Sequence, residues 1–160
     1  MSFKIIENVL PNQIAEDISS LLLGSDFPWF YQNDGVVNEG TNHRYLTHIF
    51  YCENTVNSEL YRVVKPLIKH INPRSLYRVK ANLYLPTPTI IEHGLHVDFD
   101  WDDIFTAVYY VNTNNGYTKL SDNTKIESVQ NTLAVLDPLV PHTSSTSTDN
   151  ARVTINFNWF

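Results

Sequence analysis

From Leu76 onward, the pattern of apolar and polar positions changes to short segments typical of β-strands. Turn signals separate these short segments, which is the pattern of a β-sandwich or barrel. The predicted strands cover 76–85, 91–98, 104–112, 118–121, 125–129, 132–136 and 152–160. Asn114, Asn115 and Gly116 predict a tight hairpin turn, because Asn and Gly tolerate positive φ.

The last predicted strand shows the alternation most clearly. Its apolar residues are Val153, Ile155, Phe157 and Trp159, and its polar residues are Arg152, Thr154, Asn156 and Asn158. A polar face turned into a small barrel costs free energy unless a bound group uses it. The pattern therefore predicts a ligand or metal site in the interior.

Helical periodicity occurs only before Leu76. A helix is predicted over 12–23, with Asn12 as its N-cap and Gly24 as its stop. A second is predicted over 57–71, and Pro66 should kink it or split it. We find no repeat and no linker long enough to separate two folding units. The prediction is one domain over 1–160, with helical support at 1–75 and a β-core at 76–160.

Composition excludes several classes of protein. The chain has 160 residues, of which 42% are hydrophobic and 18% charged, so a disordered chain is excluded. The formal net charge of -6 and the lack of a basic run argue against nucleic-acid binding. Cys52 is the single cysteine, so no internal disulfide can form. With no long apolar run, we expect a soluble cytoplasmic protein without a membrane partner.

Candidate metal ligands lie in the segment from Glu92 to Asp98. On a strand, His96 and Asp98 share one face, whereas His93 is out of phase and is predicted to be structural or at the rim. His142 can supply a third ligand. Two histidines and one carboxylate on one face of an octahedron leave three open positions, which is typical of non-haem Fe(II) oxygenases.

A candidate anion-binding residue follows the third candidate metal ligand in the sequence. Arg152 lies ten positions after His142, and Thr154 lies beside it on the polar face. A guanidinium grips a carboxylate through two parallel hydrogen bonds, and a nearby hydroxyl can add another. The spacing therefore suits a dicarboxylate co-substrate.

These residues resemble the 2-oxoglutarate- and Fe(II)-dependent dioxygenases, whose pattern is His-x-Asp, a distal His, and Arg or Lys about ten residues later. Over Leu76–Phe160 the resemblance is closest to the prolyl-4-hydroxylase-like branch, including small bacteriophage members. Asn82-Leu83-Tyr84 resembles the Asn-Tyr pair of that branch, and Tyr110-Val111-Asn112 with Gly116-Tyr117-Thr118 resembles its hairpin. The chain departs from it in having Arg152 where many collagen-type members have Lys, and in Leu83 between Asn and Tyr.

The resemblance implies a double-stranded β-helix, that is, a cupin-like jelly roll, with N-terminal helices. It implies an enzyme that uses Fe(II), 2-oxoglutarate and O2, with ascorbate as a supporting reductant, to hydroxylate an unactivated C–H bond. His96, Asp98 and His142 would bind iron. Arg152 would bind the far carboxylate of 2-oxoglutarate, with Tyr84, Thr154 and Asn82 as further co-substrate residues. A phage-encoded member would work in the host cytoplasm.

Three functional hypotheses stay open from the sequence. The substrate is a protein residue such as proline, or it is a small molecule. Alternatively, the chain is a non-catalytic jelly-roll module that keeps the metal site. The oligomer is a monomer or a homodimer.

Other features have two interpretations each. Arg78 and Asn82 either line the cavity or make structural hydrogen bonds. The acidic segment 100–103, with Trp101, is either a lip at the pocket or a solvated loop. The aromatic run 27–31 and the polar stretch 32–44 form either a substrate lid over 26–47 or ordinary packing. Three histidines of the first half, His43, His48 and His70, are interpreted as structural or surface residues.

Overall fold

The computed structural model describes residues 3–32 and 44–160. Two helices occur in these ranges, α1 (Asn12–Leu22) and α2 (Tyr61–Ile71). The strands are β1 (Phe3–Ile6), β2 (Phe30–Gln32), β3 (Tyr45–Cys52), β4 (Thr55–Val56), β5 (Leu76–Tyr84), β6 (Phe105–Tyr110), β7 (Tyr117–Leu120), β8 (Lys125–Glu127), β9 (Thr132–Leu136), β10 (His142–Ser144) and β11 (Arg152–Trp159).

Two antiparallel sheets make up the β-core. The larger has eight strands in the order β1-β9-β6-β11-β5-β3-β2, with β4 paired to β3. The smaller has three strands in the order β10-β7-β8. Strand β11 is central, since it pairs with β5 on one side and β6 on the other. The predicted class, mainly β with N-terminal helices, is confirmed.

The outer face of the large sheet packs on the helices. Ile18 and Leu22 of α1 and Val64 and Leu67 of α2 are buried in one apolar cluster. The sheet contributes Val79, Ala81, Leu83, Val153, Ile155 and Phe157 to the same cluster. The alternation predicted for the last strand is therefore confirmed, and its polar positions face the space between the sheets. Neither helix of the described residues is long and apolar enough to cross a bilayer.

Both helices differ in detail from the predicted ones. Pro11, not Asn12, occupies the N-cap of α1, and no side chain caps that end. Helix α2 begins at Tyr61 and continues through Pro66 without being split. It ends at Asn72, whose φ of 51° places it in the left-handed region that Asn tolerates.

The described residues before Leu76 include four strands that the pattern did not predict, β1 to β4. Strand β1 pairs with β9, and β3 pairs with β5. In β3, both His48 and Phe50 are buried, so polar and apolar positions do not alternate cleanly. Its richness in aromatic and β-branched residues was the available signal.

The turn at Asn114-Asn115-Gly116 does not close a hairpin, so that prediction is wrong. It connects β6 of the large sheet to β7 of the small sheet. The same residues that permit a tight turn also permit a crossing between sheets, and local sequence does not separate these outcomes.

Candidate metal centre

The segment that carries His96 and Asp98 is not the regular strand predicted over 91–98. It makes isolated bridges at two points, Glu92 with Ser145 and His96 with His142. The backbone N–H of His96 donates to the carbonyl of His142 at 2.9 Å, and His142 donates back at 2.9 Å. This reciprocal pair of bonds brings two histidines 46 positions apart to the same place.

The three predicted ligands converge. The Nε2 atoms of His96 and His142 lie 3.6 Å and 3.9 Å from Oδ1 of Asp98. One ligand atom from each residue lies within 4.8 Å of the others. Two imidazoles and one carboxylate at such distances can share one metal ion.

Backbone carbonyls orient both imidazole rings. Nδ1 of His96 lies 2.9 Å from the Gly94 carbonyl oxygen, and Nδ1 of His142 lies 3.0 Å from that of Val140. A carbonyl only accepts, so Nδ1 carries a proton in each ring, and in the neutral ring the lone pair is on Nε2. Both Nε2 atoms therefore face Asp98.

Side chains of the two adjacent strands β5 and β11 fix the orientation of the Asp98 carboxylate. Its Oδ2 accepts a hydrogen bond from Nδ2 of Asn158 at 2.9 Å and pairs with the Arg78 guanidinium at 3.3 Å. Arg78 also donates from Nε to Oδ1 of Asn158 at 3.1 Å. Oδ1 stays directed at the histidines. Arg78 thus supports the carboxylate, and Asn158 is a supporting residue that the sequence analysis did not single out.

The electrostatics prepare the three side chains for a cation. Burial by itself would raise the pKa of Asp98, but hydrogen bonding with His96 and the charge of Arg78 hold that pKa well below its usual range. Burial lowers the pKa of His142, although the Asp98 charge opposes it. For His96, burial is outweighed by hydrogen bonds to Asp98 and the Gly94 carbonyl, so its pKa is raised. At neutral pH Asp98 is therefore ionised and His142 is neutral.

Arg152 lies across a small cavity from this cluster. The cavity is lined by Tyr84, His96, Val108, Thr118, His142, Ser144, Arg152, Thr154 and Asn156. Arg152 is only 1% exposed, and its Nε and Nη2 donate to Ser128 Oγ at 2.8 Å and Thr118 Oγ1 at 3.1 Å. Its Nη1 has no partner among the described residues. No carboxylate of residues 3–32 and 44–160 pairs with this buried cation, which is costly unless an anion binds there.

The segment between β6 and β7 positions Arg152. The side-chain amide of Asn112 accepts a hydrogen bond from the backbone of Val153 at 3.0 Å and donates to the carbonyl of Ala151 at 2.8 Å. Thr118 Oγ1, which receives Nη2 of Arg152, also accepts from the Tyr110 hydroxyl at 2.9 Å. The Tyr-x-Asn and Gly-x-Thr pattern therefore has a local function in fixing the start of β11.

The other predicted co-substrate residues lie on the same inner face. Tyr84 is buried, lines the cavity and stacks on His93 with ring centres 5.0 Å apart. Thr154 also lines the cavity. Asn82 does not, but its amide donates to Oδ1 of Asn156 at 3.2 Å. Roles of Tyr84, Thr154 and Asn82 in co-substrate binding stay predictions.

The remaining histidines are placed as follows. His93 is buried, with Nδ1 2.7 Å from Ser144 Oγ, which agrees with a structural role. His48 has both ring nitrogens bonded, to the Pro28 carbonyl and the Ser58 hydroxyl at 2.8 Å each. His70 is exposed, and His43 lies outside the described residues.

The acidic lip and the lid have less support. Asp102 and Asp103 line a different surface cavity, with Arg74, Phe105, Pro138 and Phe160. In the aromatic run, Phe27 is buried and the Trp29 indole donates to the Leu22 carbonyl at 3.2 Å, whereas Tyr31 is exposed. Residues 33–43 of the predicted lid lie outside the described part of the chain.

Lys80 was missed as a candidate. It shares the inward-facing phase of β5 with Arg78 and Asn82, and its charge acts on both His96 and Asp98. The strand phase could have identified it, because residues two apart on a strand face the same side.

Comparison with known proteins shows the fold. No family model matches the chain, and no curated protein matches it in sequence. A prolyl hydroxylase from Trichoplax adhaerens, in complex with a peptide fragment of the oxygen degradation domain of hypoxia inducible factor, superposes with a TM-score of 0.75 at 14% identity, covering 99% of this chain and 83% of that one. A 2OG-Fe(II) oxygenase family member from Burkholderia pseudomallei gives 0.70 at 14%, covering 98% and 84%.

HygX from Streptomyces hygroscopicus, whose structure contains nickel and 2-oxoglutarate, gives a TM-score of 0.62 at 10% identity, covering 98% of this chain and 82% of that one. Nearly the whole chain therefore has the double-stranded β-helix fold of these oxygenases. The predicted jelly roll is confirmed, as is its likeness in fold to prolyl hydroxylases.

Proposed function

We propose that the chain is an Fe(II)- and 2-oxoglutarate-dependent dioxygenase that hydroxylates an unactivated C–H bond. The observation that carries the proposal is the arrangement along one cavity. The His96–Asp98–His142 cluster adjoins this cavity. Buried Arg152 also lines it, and its Nη1 has no hydrogen-bond partner among the described residues.

The donor set fits iron. Two imidazole nitrogens and one carboxylate oxygen form the facial triad of non-haem Fe(II) oxygenases, and a site built for structural zinc would be closed by a fourth protein ligand. His96, Asp98 and His142 would hold the ion. Among the described residues no fourth His, Cys, Asp or Glu joins the group, so positions remain for co-substrate and oxygen.

The far end of the cavity fits a dicarboxylate. Nη1 of Arg152 is a buried donor without an acceptor, and Thr154 offers a hydroxyl two residues on. The Tyr84 ring lies 5.5 Å from the Arg152 guanidinium carbon, on the same cavity. A carboxylate here would neutralise the buried cation and complete its hydrogen bonds.

Iron and 2-oxoglutarate together supply the chemistry, in which oxygen converts 2-oxoglutarate to succinate and CO2 and one oxygen atom enters a substrate C–H bond. The residues of the chain supply position and charge. Asp98 stays ionised, the histidines present Nε2, and Arg152 anchors one end of the co-substrate in a buried environment where charges interact strongly.

For the substrate we propose a protein residue such as proline. The support is the fold shared with the Trichoplax adhaerens prolyl hydroxylase, which was solved with a peptide and which this chain matches over 99% of its own length. A small-molecule substrate is the alternative outcome of the peptide experiment below.

Release of succinate tests the activity. Protein with Fe(II), 2-oxoglutarate and O2 should form succinate, and His142→Ala should form none above the protein-free control. An inert wild-type mixture that still binds metal would contradict the enzyme and support a non-catalytic module. Proline-containing peptides that raise succinate formation and gain 16 Da by mass spectrometry would support a protein substrate; no peptide product, with turnover on small molecules, would support the alternative.

A further inference from the structure

Lys80 is a second cation beside the metal centre, separate from the co-substrate cavity. It lies on the inner face of β5, where its partners across the sheet are Asn156 of β11 and Ile49 of β3. Asn156 lines the cavity that contains Arg152, whereas Lys80 does not. In the register of β5 and β11, Lys80 lies between the level of Arg152 and the level of Arg78, whose guanidinium pairs with Asp98.

The ammonium group of Lys80 has no anionic partner in the described part of the chain. Within residues 3–32 and 44–160 it makes no hydrogen bond and no ion pair, and its Nζ lies 5.7 Å from the centre of the Tyr45 ring. Its neighbour Arg78 is already paired with Asp98. Burial, together with the charge of Arg78, lowers the pKa of Lys80 to about 8, while Asp98 opposes this shift.

The surface beside Lys80 is partly apolar. Ile49, directly opposite Lys80 on β3, is 41% exposed. The Tyr45 ring stacks on Tyr84, which lines the cavity, with ring centres 5.3 Å apart. The surface beside Lys80 is therefore adjacent to the cavity. A ligand placed here would contact an aromatic ring, an aliphatic side chain and a cation, close to the metal ligands.

The charge balance favours an anion at this place. With Fe(II) and dianionic 2-oxoglutarate bound, Asp98 and the co-substrate carboxylates balance the metal and Arg152. Asp98 is shared between the metal and Arg78, so among the described residues the positive charge of Lys80 remains without a counter-anion. This step rests on the proposed function.

We propose that Lys80 binds an anionic group, a carboxylate or a phosphate, of the substrate that is hydroxylated. The oxidised C–H bond and the anion belong to one substrate, whose apolar part lies against Tyr45 and Ile49. This differs from the neutral or basic substrate that an acidic lip at 100–103 would favour.

Calorimetric titration tests this proposal without turnover. Protein loaded with Mn(II) and saturated with 2-oxoglutarate is titrated with phenylacetate, phenyl phosphate and the neutral phenylacetamide. At least one acid should bind roughly tenfold more tightly than the amide, because charge-assisted hydrogen bonds are the stronger ones. Preference for phenylacetate indicates a carboxylate substrate, and preference for phenyl phosphate a phosphorylated one.

Variants assign the effect to Lys80. Lys80→Gln should lose roughly tenfold in affinity for the acid and leave the amide unchanged, and Lys80→Arg should restore acid binding. Lys69→Gln, which removes an exposed lysine of α2, is the matched control and should change nothing.

Equal binding of acid and amide, no binding of either acid, or an unchanged affinity in Lys80→Gln would overturn the proposal. A 2-oxoglutarate titration of the same samples distinguishes failure of the proposed function from failure of this inference. Failure of 2-oxoglutarate to bind contradicts the proposed function, whereas normal 2-oxoglutarate binding with no effect of Lys80 contradicts only this inference.

Discussion

Gly116 lies so close to Arg152 that no other residue fits beside it. A Cβ atom at position 116 would lie 2.6 Å from Cδ of Arg152 and 2.8 Å from the backbone oxygen of Thr146. Both distances are shorter than carbon contacts allow. The absence of a side chain at 116 is therefore a condition for the buried position of the guanidinium.

Gly116→Ala should weaken co-substrate binding and leave the metal in place. The added methyl group displaces Arg152, and a shift of about 1 Å in a positioning group can cost up to about 100-fold. We expect at least about tenfold weaker 2-oxoglutarate binding with unchanged metal content, measured by calorimetry and metal analysis. Unchanged affinity would show that the position of Arg152 does not depend on Gly116.

Arg152→Ala should weaken 2-oxoglutarate binding without affecting metal binding. Metal retention should persist, because the three ligands do not contact Arg152, whereas the 2-oxoglutarate concentration for half-saturation should rise by about 100-fold. Arg152→Lys should be intermediate, since one ammonium cannot replace the donors to Ser128, Thr118 and a carboxylate together. Arg74→Ala removes an exposed arginine and should match wild type.

Acid should reduce the contribution of Asp98 to the stability of the metal-free protein. Its pKa is held well below the usual range, so the contribution is fully present above the unfolded pKa of about 4 and is lost as pH falls below it. Asp98→Asn should lower stability by about 2 kcal/mol at pH 5, and the Tm difference from wild type should narrow toward pH 3. Thermal unfolding in the presence of a chelator, at a series of pH values, measures this Tm difference. A constant difference would contradict the ionised pairing with Arg78.

Asn112→Ala should destabilise the fold through the start of β11. The variant loses two hydrogen bonds to the backbone, at Val153 and Ala151, which corresponds to about 1 to 3 kcal/mol. Urea denaturation gives the free energy of unfolding. Asn57→Ala, at an exposed asparagine, should stay within about 0.5 kcal/mol of wild type. Equal effects of the two substitutions would show that the Asn112 bonds do not stabilise the strand.

The sequence identified the candidate metal ligands and Arg152 because each has a distinctive residue type at a distinctive spacing. It predicted their convergence for a partly wrong reason, since His96 and Asp98 do not lie on a regular strand. Two reciprocal backbone bonds between His96 and His142 create the site, and no local pattern indicates a contact across 46 positions.

Supporting residues were harder to predict. Asn158 and Lys80 are ordinary residues on strands, and only in the folded chain does Asn158 bond to Asp98 and Lys80 come within range of its charge. Strand β3 was missed because its buried His48 breaks the alternation of polar and apolar positions. These errors share one cause, which is that tertiary partners decide which polar side chains can be buried.

Anaerobic titration with Fe(II) and 2-oxoglutarate tests the central claim most directly. Wild-type protein should bind one equivalent of Fe(II), and 2-oxoglutarate should then produce a weak visible absorption band. His142→Ala should show no band, and Arg152→Ala should show it only at much higher 2-oxoglutarate. A wild-type mixture that remains colourless, or a band of equal strength in His142→Ala, would contradict a centre in which His96, Asp98 and His142 hold iron opposite Arg152.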